Sequence, residues 1–287
     1  MIDLHTHTTA SDGQSAPEEL VRQAAEAGIS VLSATDHDTL AATVEVARAA
    51  RAYGIEPVVG IEITAVHEQR DVHMLGYFLD PESPELARFL EAQRNDRVRR
   101  VQEMADRLGT LGCPIDARAL VRGSRRHMGR SVGRPQVARA LVRAGHVRST
   151  QEAFDRFLAA GKPAFVARRG ASPAGVIGLV LRAGGVASLA HPGLLGQDEL
   201  IPDLVQVGLD AIEVYHGKHP ETMRRHYRAI ADRHDLAVSG GSDFHGVSVG
   251  RENYLGRVTL PETQFRRLED RARARRTDPT RSSRGGA

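Results

Sequence analysis

Along this chain, short apolar runs end in polar, metal-capable side chains and alternate with stretches of helical spacing. MIDLHTH predicts a strand and TTASDGQ a polar loop. SAPEELVRQAAEAG then reads as a helix with Ser15 as N-cap, Glu18 completing the box and Gly28 as terminator. ISVLSATDHD predicts a second strand, followed by the alanine-rich helical run TLAATVEVARAARAYG. IEPVVGIEITA and DVHMLGYFLD supply a third and a fourth strand. Helices between several of the strands predict an α/β architecture with its chemistry on loops at one sheet edge.

From about residue 84 the texture changes. ELARFLEAQRNDRVRRVQEMADRLGTLG reads as one long amphipathic helix, with Leu86, Phe89, Leu90, Val98, Val101, Met104 and Leu108 as its apolar positions. DARALVRG, PQVARALVRAG and TQEAFDRFLAAG follow as shorter helices. Residues 85–170 are thus expected to form a mainly helical cap inserted into a discontinuous unit of residues 1–84 and 171–270. Strands return in GGVASLAHPG, LDAIEVYHG and DLAVSGGSDFH, with helices expected near 198–208 and 220–234. Seven strands then end in polar groups: at His5 and His7, Asp36 and His37, Glu62, His73, His191, His216, and Asp243 and His245. Such convergence predicts a barrel-like arrangement, with a doubly wound sheet as the other topology.

Charge sharpens this division. The net charge is only +3, yet residues 1–87 carry 4 basic and 15 acidic side chains while residues 88–170 carry 19 basic and 7 acidic ones. An acidic block suits cations, and a basic block suits an anionic substrate. All basic side chains except Lys162 and Lys218 are arginines. The basic stretch 271–287 has little apolar content and is expected to be a disordered, solvated tail. One cysteine, Cys113, excludes an internal disulfide framework and fits a reducing compartment. The start lacks a basic flank leading into an apolar run, and GVIGLVLRAGGVASLA is broken by Arg182 and glycines, so a cytoplasmic protein with no membrane association is expected.

The candidate chemistry sits at the strand ends. In DLHTHTTASDG, the twofold side-chain period puts His5 and His7 on one face, and Asp12 can return over it. Imidazoles and carboxylates in that setting can share divalent cations. SATDHDT offers His37 as a direct ligand, with Asp38 orienting it or capping the next helix. Glu62 interrupts an apolar strand, where an uncompensated carboxylate would be costly to bury. His73, His191, and Asp243 with His245 in GSDFH complete the set.

DLHTHTTASDG, TDHD, GIE, VHMLGY, AHPG and GSDFH together resemble the polymerase-and-histidinol-phosphatase (PHP) metal-dependent phosphoesterases. That resemblance implies a distorted seven-stranded β/α barrel with a small helical insertion and a site for three divalent metals. It implies His5, His7, Glu62 and Asp243 as ligands of the first metal. Glu62 would bridge to a second metal held by His73 and His191, and Asp12, His37 and His245 would hold the third. Asp12 stands where some relatives carry histidine. Manganese is the first choice for these metals, with zinc, iron and magnesium as alternatives.

GRPQVARALVRAG further resembles the branch of that family acting on nucleoside 3′,5′-bisphosphates and on very short RNA, although many relatives carry histidine where Gln136 stands. The resemblance implies removal of the 3′-phosphate, as from adenosine 3′,5′-bisphosphate to AMP, by water activated at the metals. Arg134, with its multidonor fork, and Ser131 would read the 5′-phosphate. Arg168 and Arg169 are secondary phosphate contacts, and His216 could orient phosphate or serve as the proton donor. Lys218 and His219 are weaker candidates. The competing readings are a 5′-3′ exoribonuclease using the same site, a histidinol-phosphate phosphatase, a metal-dependent amidohydrolase and a noncatalytic nucleic-acid-binding module. No obligate protein partner is inferred.

Overall fold

A computed structural model describes residues 1–126, 129–247 and 253–277. Among the described residues there are eight strands: β1 (Ile2–Thr6), β2 (Val31–Ala34), β3 (Glu56–Pro57), β4 (Gly60–His67), β5 (Arg70–Tyr77), β6 (Val186–Leu189), β7 (Ala211–His216) and β8 (Ala237–Gly241). The helices are α1 (Pro17–Glu26), α2 (Thr43–Ala52), α3 (Pro84–Thr110), α4 (Ala117–Arg126), α5 (Arg134–Arg143), α6 (Thr150–Ala153), α7 (Pro173–Arg182), α8 (Pro192–Leu195), α9 (Ile201–Gln206), α10 (Glu221–Arg233) and α11 (Glu262–Thr277).

The expected α/β class is observed, but the strands form two sheets, not one closed seven-stranded barrel. One sheet has the order β1-β2-β3 and is parallel; the other has the order β4-β5-β6-β7-β8. The segment expected as one third strand breaks at Val58–Val59. Its first half joins β2, and its second half forms a hairpin with β5 that makes β5 antiparallel to both neighbours. The sheets meet through the isolated bridges Thr6–Phe244 and His37–Glu62. Along the β1/β8 seam, His7 N–H donates to the Phe244 carbonyl (2.8 Å) and Asp243 N–H to that of His5 (2.8 Å). Only glycine fits on that seam at position 241, where a Cβ would lie 2.3 Å from the His5 nitrogen.

Three apolar clusters hold these elements. The largest joins β4–β8 to α7, α9 and α11 through residues such as Ile61, Met74, Val180, Ile212 and Phe265. A second packs β2 side chains such as Leu32 with Leu20 and Val21 of α1 and Val46 of α2. The helical segment has its own cluster, in which Val101, Met104 and Leu108 of α3 meet Val137 and Leu141 of α5 and Leu158. Burying each such side chain contributes about 1.5–3 kcal/mol.

Two local expectations are corrected. Ser15 does not cap α1: Ala16 occupies the N-cap, Pro17 starts the helix, and the Ser15 hydroxyl bonds the Gln23 side chain at 3.1 Å. The solvated tail does not begin at residue 271, because α11 runs to Thr277 with Ala272 buried in the main cluster and Arg275 paired to Asp210. Burial on one helical face outweighs the basic composition there. Residues 278–287 lie outside the described residues.

Candidate metal and phosphate site

The cluster is built at the strand ends and inside the β4–β5 hairpin. β1 delivers His5 and, just past its end, His7. β4 delivers Glu62 from its third position and β5 delivers His73 from its fourth. His191 follows β6, and Asp243 with His245 follows β8. His191 and Asp243 have φ of 28° and 53°, left-handed values that cost about 1–3 kcal/mol each and recur at functional sites.

The nine side chains form one connected cluster with Glu62 at its centre. One carboxylate oxygen, Oε2, lies 3.3 Å from His5 Nε2, 3.2 Å from His7 Nε2 and 3.2 Å from His37 Nδ1. The other, Oε1, lies 2.7 Å from His73 Nδ1 and 3.1 Å from His191 Nε2. Asp243 Oδ1 is 3.5 Å from His5 Nε2 and 3.3 Å from His7 Nε2. Asp12 stands 3.3 Å from His245 Nε2 and 3.9 Å from His37 Nε2. Four overlapping groups bring their ligand atoms within 4.8 Å of one another: His7, Asp12, His37 and His245; His5, Glu62 and His191; His5, His7 and Asp243; and His37, Glu62 and His73.

These contacts suit cations better than hydrogen bonds. His7 Nε2, His37 Nδ1 and His73 Nδ1 are buried and close to a Glu62 oxygen, yet none has a hydrogen-bond partner. Two atoms bound to one cation at about 2.1 Å lie roughly 3 Å apart with their lone pairs converging on the cation and not on each other. The residues present therefore fit divalent metals.

Burial opposes every charge in the cluster, and the neighbours decide which charges survive. Around His5, burial is overcome by Glu213, Glu62 and Asp243, which raise its pKa well above the usual range. His7 is lifted against burial to about 10 by Asp243 and Glu62. Burial wins at His37, whose pKa falls to about 3. Glu62, Asp12 and Asp243 stay well below the carboxylate range despite burial, because imidazoles surround them.

Beside the cluster a cavity of about 110 Å³ shares Asp12, His37 and His73 with it, and Arg97, Arg100, Arg134, Arg168 and Ser131 line its far side. Arg134 Nη2 bonds Asp71 at 2.9 Å, and its guanidinium stands 5.9 Å from the Phe165 ring centre. Arg100 Nη2, Arg168 Nε and Ser131 Oγ are buried without hydrogen-bond partners among the described residues. Buried donors without a hydrogen bond on residues that line one cavity favour an anion.

Other expected residues are placed differently. Arg169 is exposed, and its backbone N–H donates to Asp96, so Arg168 is the member of that pair lining the cavity. Asp38 neither orients His37 nor caps a helix; its carboxylate binds Arg97 at 2.6 Å, Arg168 at 3.2 Å and the Thr64 N–H at 2.9 Å. His216 is buried with Nε2 3.3 Å from Asp243 Oδ2 and Nδ1 accepting from Lys218 N–H. Lys218 is exposed, and His219 is buried against the Val214 carbonyl. Gln136 bridges the Gly133 N–H and the Ser11 carbonyl, tying the start of α5 to the β1 loop.

Sequence reasoning missed Glu213, Arg97 and Arg100. Glu213 is wholly buried on β7, sits 2.8 Å from His5 Nδ1 and accepts the His191 N–H at 2.7 Å. Its signal was the one noticed for Glu62, a carboxylate within an apolar strand. Arg97 and Arg100 belong to the buried stripe Gln93, Arg97, Arg100 and Met104 of α3, so their helical spacing was visible.

The PHP domain family profile matches residues 3–148. The chain is 35% identical over 268 residues to the 3′,5′-nucleoside bisphosphate phosphatase of Chromobacterium violaceum, covering 91% of this chain and 92% of that protein. It is 37% identical over 251 residues to a 5′-3′ exoribonuclease of Haemophilus influenzae, covering 85% and 89%. A solved structure from Bifidobacterium adolescentis, named as a candidate metal-dependent phosphoesterase, superposes with a TM-score of 0.85 at 35% identity, over 94% of this chain and 95% of that one.

Proposed function

This chain belongs to the PHP domain family, and we propose that it is a metal-dependent phosphoesterase removing the 3′-phosphate of nucleoside 3′,5′-bisphosphates, adenosine 3′,5′-bisphosphate among them. The observation that carries this reading is the arginine-lined cavity, which shares Asp12, His37 and His73 with the Glu62 cluster and so offers separate places for two phosphates. In this reading residues 1–84 and 171–270 are the catalytic unit and residues 85–170 the cap that supplies the arginines. No helix among the described residues is long and apolar enough to cross a membrane. We place the reaction in the cytoplasm on the strength of its nucleotide substrates.

His5, His7, Glu62 and Asp243 would hold one divalent cation, Glu62, His73 and His191 a second, and Asp12, His37 and His245 a third, with manganese the first choice. Such cations, when bound, activate the attacking water and neutralise charge growing on the phosphoryl oxygens. The chain's own part is to fix the substrate. Arg134 and Ser131, supported by Arg97, Arg100 and Arg168, bind the 5′-phosphate and hold the nucleoside so that its 3′-phosphate lies against the cluster. The water oxygen joins phosphorus, the P–O3′ bond breaks, and the leaving 3′-oxygen takes a proton. His216, whose Nε2 lies 3.3 Å from Asp243 Oδ2, is the imidazole outside the ligand set that we assign to that transfer.

A second reading, 5′-3′ exonucleolytic cleavage of short 5′-phosphorylated RNA, uses the same two phosphate positions and is favoured by the Haemophilus influenzae relative. Metal-reconstituted protein offered nucleoside 3′,5′-bisphosphates, 5′-phosphorylated short RNAs, histidinol phosphate and simple amides, with all products resolved, tests both. Orthophosphate from the bisphosphates is expected. Turnover of histidinol phosphate or amides in preference to every nucleotide would remove the reading.

A further inference from the structure

A second cavity, of about 230 Å³, lies against His73 and His191 and is walled by Arg70, Asp71, Leu194 and Leu195. It shares Asp71 and His73 with the arginine-lined cavity, so the two flank the same edge of the Glu62 cluster. In the reading above, hydrolysis of a bisphosphate gives it no occupant: that substrate ends at the scissile phosphorus, and its nucleoside is assigned to the side of the arginine-lined cavity.

The walls of this cavity combine two chemistries. Leu194, on the short α8 that starts directly after His191, is a large apolar side chain left 49% exposed. Leu195 beside it packs partly on the main core, which fixes the pair relative to His191. Arg70, at the β4–β5 turn, is exposed at the rim, while the neighbouring Asp71 is committed to Arg134 and Arg168. An aliphatic surface beside a cation matches what one nucleotide presents, an apolar base face and a phosphate.

We propose that this cavity receives the nucleotide following the scissile phosphate in a short 5′-phosphorylated RNA, with its base against Leu194 and Leu195 and its 3′-phosphate facing Arg70. The inference rests on the phosphoesterase reading above and extends it to an oligonucleotide. Water adds its oxygen to phosphorus, the P–O3′ bond of the first nucleotide breaks, and the proton goes to that 3′-oxygen. The phosphate stays on the 5′-oxygen of the second nucleotide. The shortened RNA therefore carries a new 5′-phosphate, the group the arginine-lined cavity binds, and the cycle can repeat.

The test compares the metal-loaded wild type with Leu194→Ser and Arg70→Ala on adenosine 3′,5′-bisphosphate, a 5′-phosphorylated dinucleotide and a 5′-phosphorylated trinucleotide. Leu194→Ser is expected to lower kcat/KM on the dinucleotide about tenfold, the size of the apolar burial lost from a half-exposed leucine, and to leave bisphosphate hydrolysis unchanged. Arg70→Ala is expected to act on the trinucleotide, which has a phosphate after its second nucleotide, and to spare the dinucleotide, which has none. It should also flatten the salt dependence of trinucleotide cleavage. Binding of a dinucleotide with a phosphorothioate link, measured by titration, reads affinity apart from turnover and should weaken in Leu194→Ser. Equal losses on bisphosphate and dinucleotide, or no loss on either RNA, overturn the inference. A wild type that cleaves the bisphosphate but neither RNA overturns it while leaving the phosphatase reading intact, and one that cleaves none of the three overturns both.

Discussion

Glu213 shows how much a single buried carboxylate can organise: one oxygen takes the His5 ring nitrogen facing away from Glu62, and the other takes the His191 backbone. Neutralising it without changing its shape should loosen His5, so Glu213→Gln is expected to weaken metal binding about 10–100-fold, measured by titration against a metal buffer. Glu62→Gln acts at the centre. It is expected to abolish metal occupancy and hydrolysis together in a folded protein, read by metal analysis and circular dichroism; full occupancy with full activity would remove Glu62 from its assigned role. The proton balance gives a third outcome. His7, held at about 10, carries a proton at neutral pH and must lose it to ligate, so metal affinity should rise with pH across the neutral range and protons should be released on binding. The side chains that converge on Glu62 were legible because each closes an apolar run within an ordered series of motifs. Glu213 was not singled out, although it interrupts an apolar strand as Glu62 does, because His216 at the end of the same run drew the reading to the strand's tip.

Between elements, the decisive connection is Asp38, which leaves the β2 end with φ of 52° and reaches Arg97 of α3 and Arg168 of the return segment. Burial pushes its pKa up, but Arg97 and then Arg168 override this and hold it at about 2, below the ordinary 3.8. The folded-state value is the depressed one. Its contribution is therefore fully present above about pH 4 and is lost as pH falls toward about 2. Asp38→Asn leaves two buried guanidiniums without their shared anion and is expected to cost about 3–5 kcal/mol, read as a lowered urea midpoint at neutral pH with a smaller acid-induced change between pH 4 and 2. An unchanged midpoint would mean that the arginines are held by other groups. This connection was the least legible feature in sequence, because Asp38 and its partners are 59 and 130 positions apart. The break of the third strand and the antiparallel β5 escaped for a related reason: apolar runs predict strands, but not which neighbour each run pairs with.

At the scale of the whole molecule, the opposed charges of the two sequence blocks become a spatial arrangement. Acidic and imidazole groups gather at the strand ends, and the arginines of residues 97–168 close over them from the helical segment. The small net charge of +3 conceals this, so a charge count would assign the protein little attraction for anions. The local field matters instead, because the guanidiniums of Arg100 and Arg168 are buried where low-dielectric walls screen them less than salt screens surface charges. Part of the attraction for a two-phosphate substrate must nevertheless act over the open approach to the cavity, where mobile ions intervene. The kcat/KM for a nucleoside 3′,5′-bisphosphate is therefore expected to fall as ionic strength rises, more steeply than that for a nucleoside 3′-monophosphate, which lacks the group the arginines bind. Replacing Arg134 with alanine should bring the two salt slopes together while lowering only the bisphosphate value at low salt. Parallel slopes in the wild type would place the second phosphate in solvent and the arginines in a purely structural role.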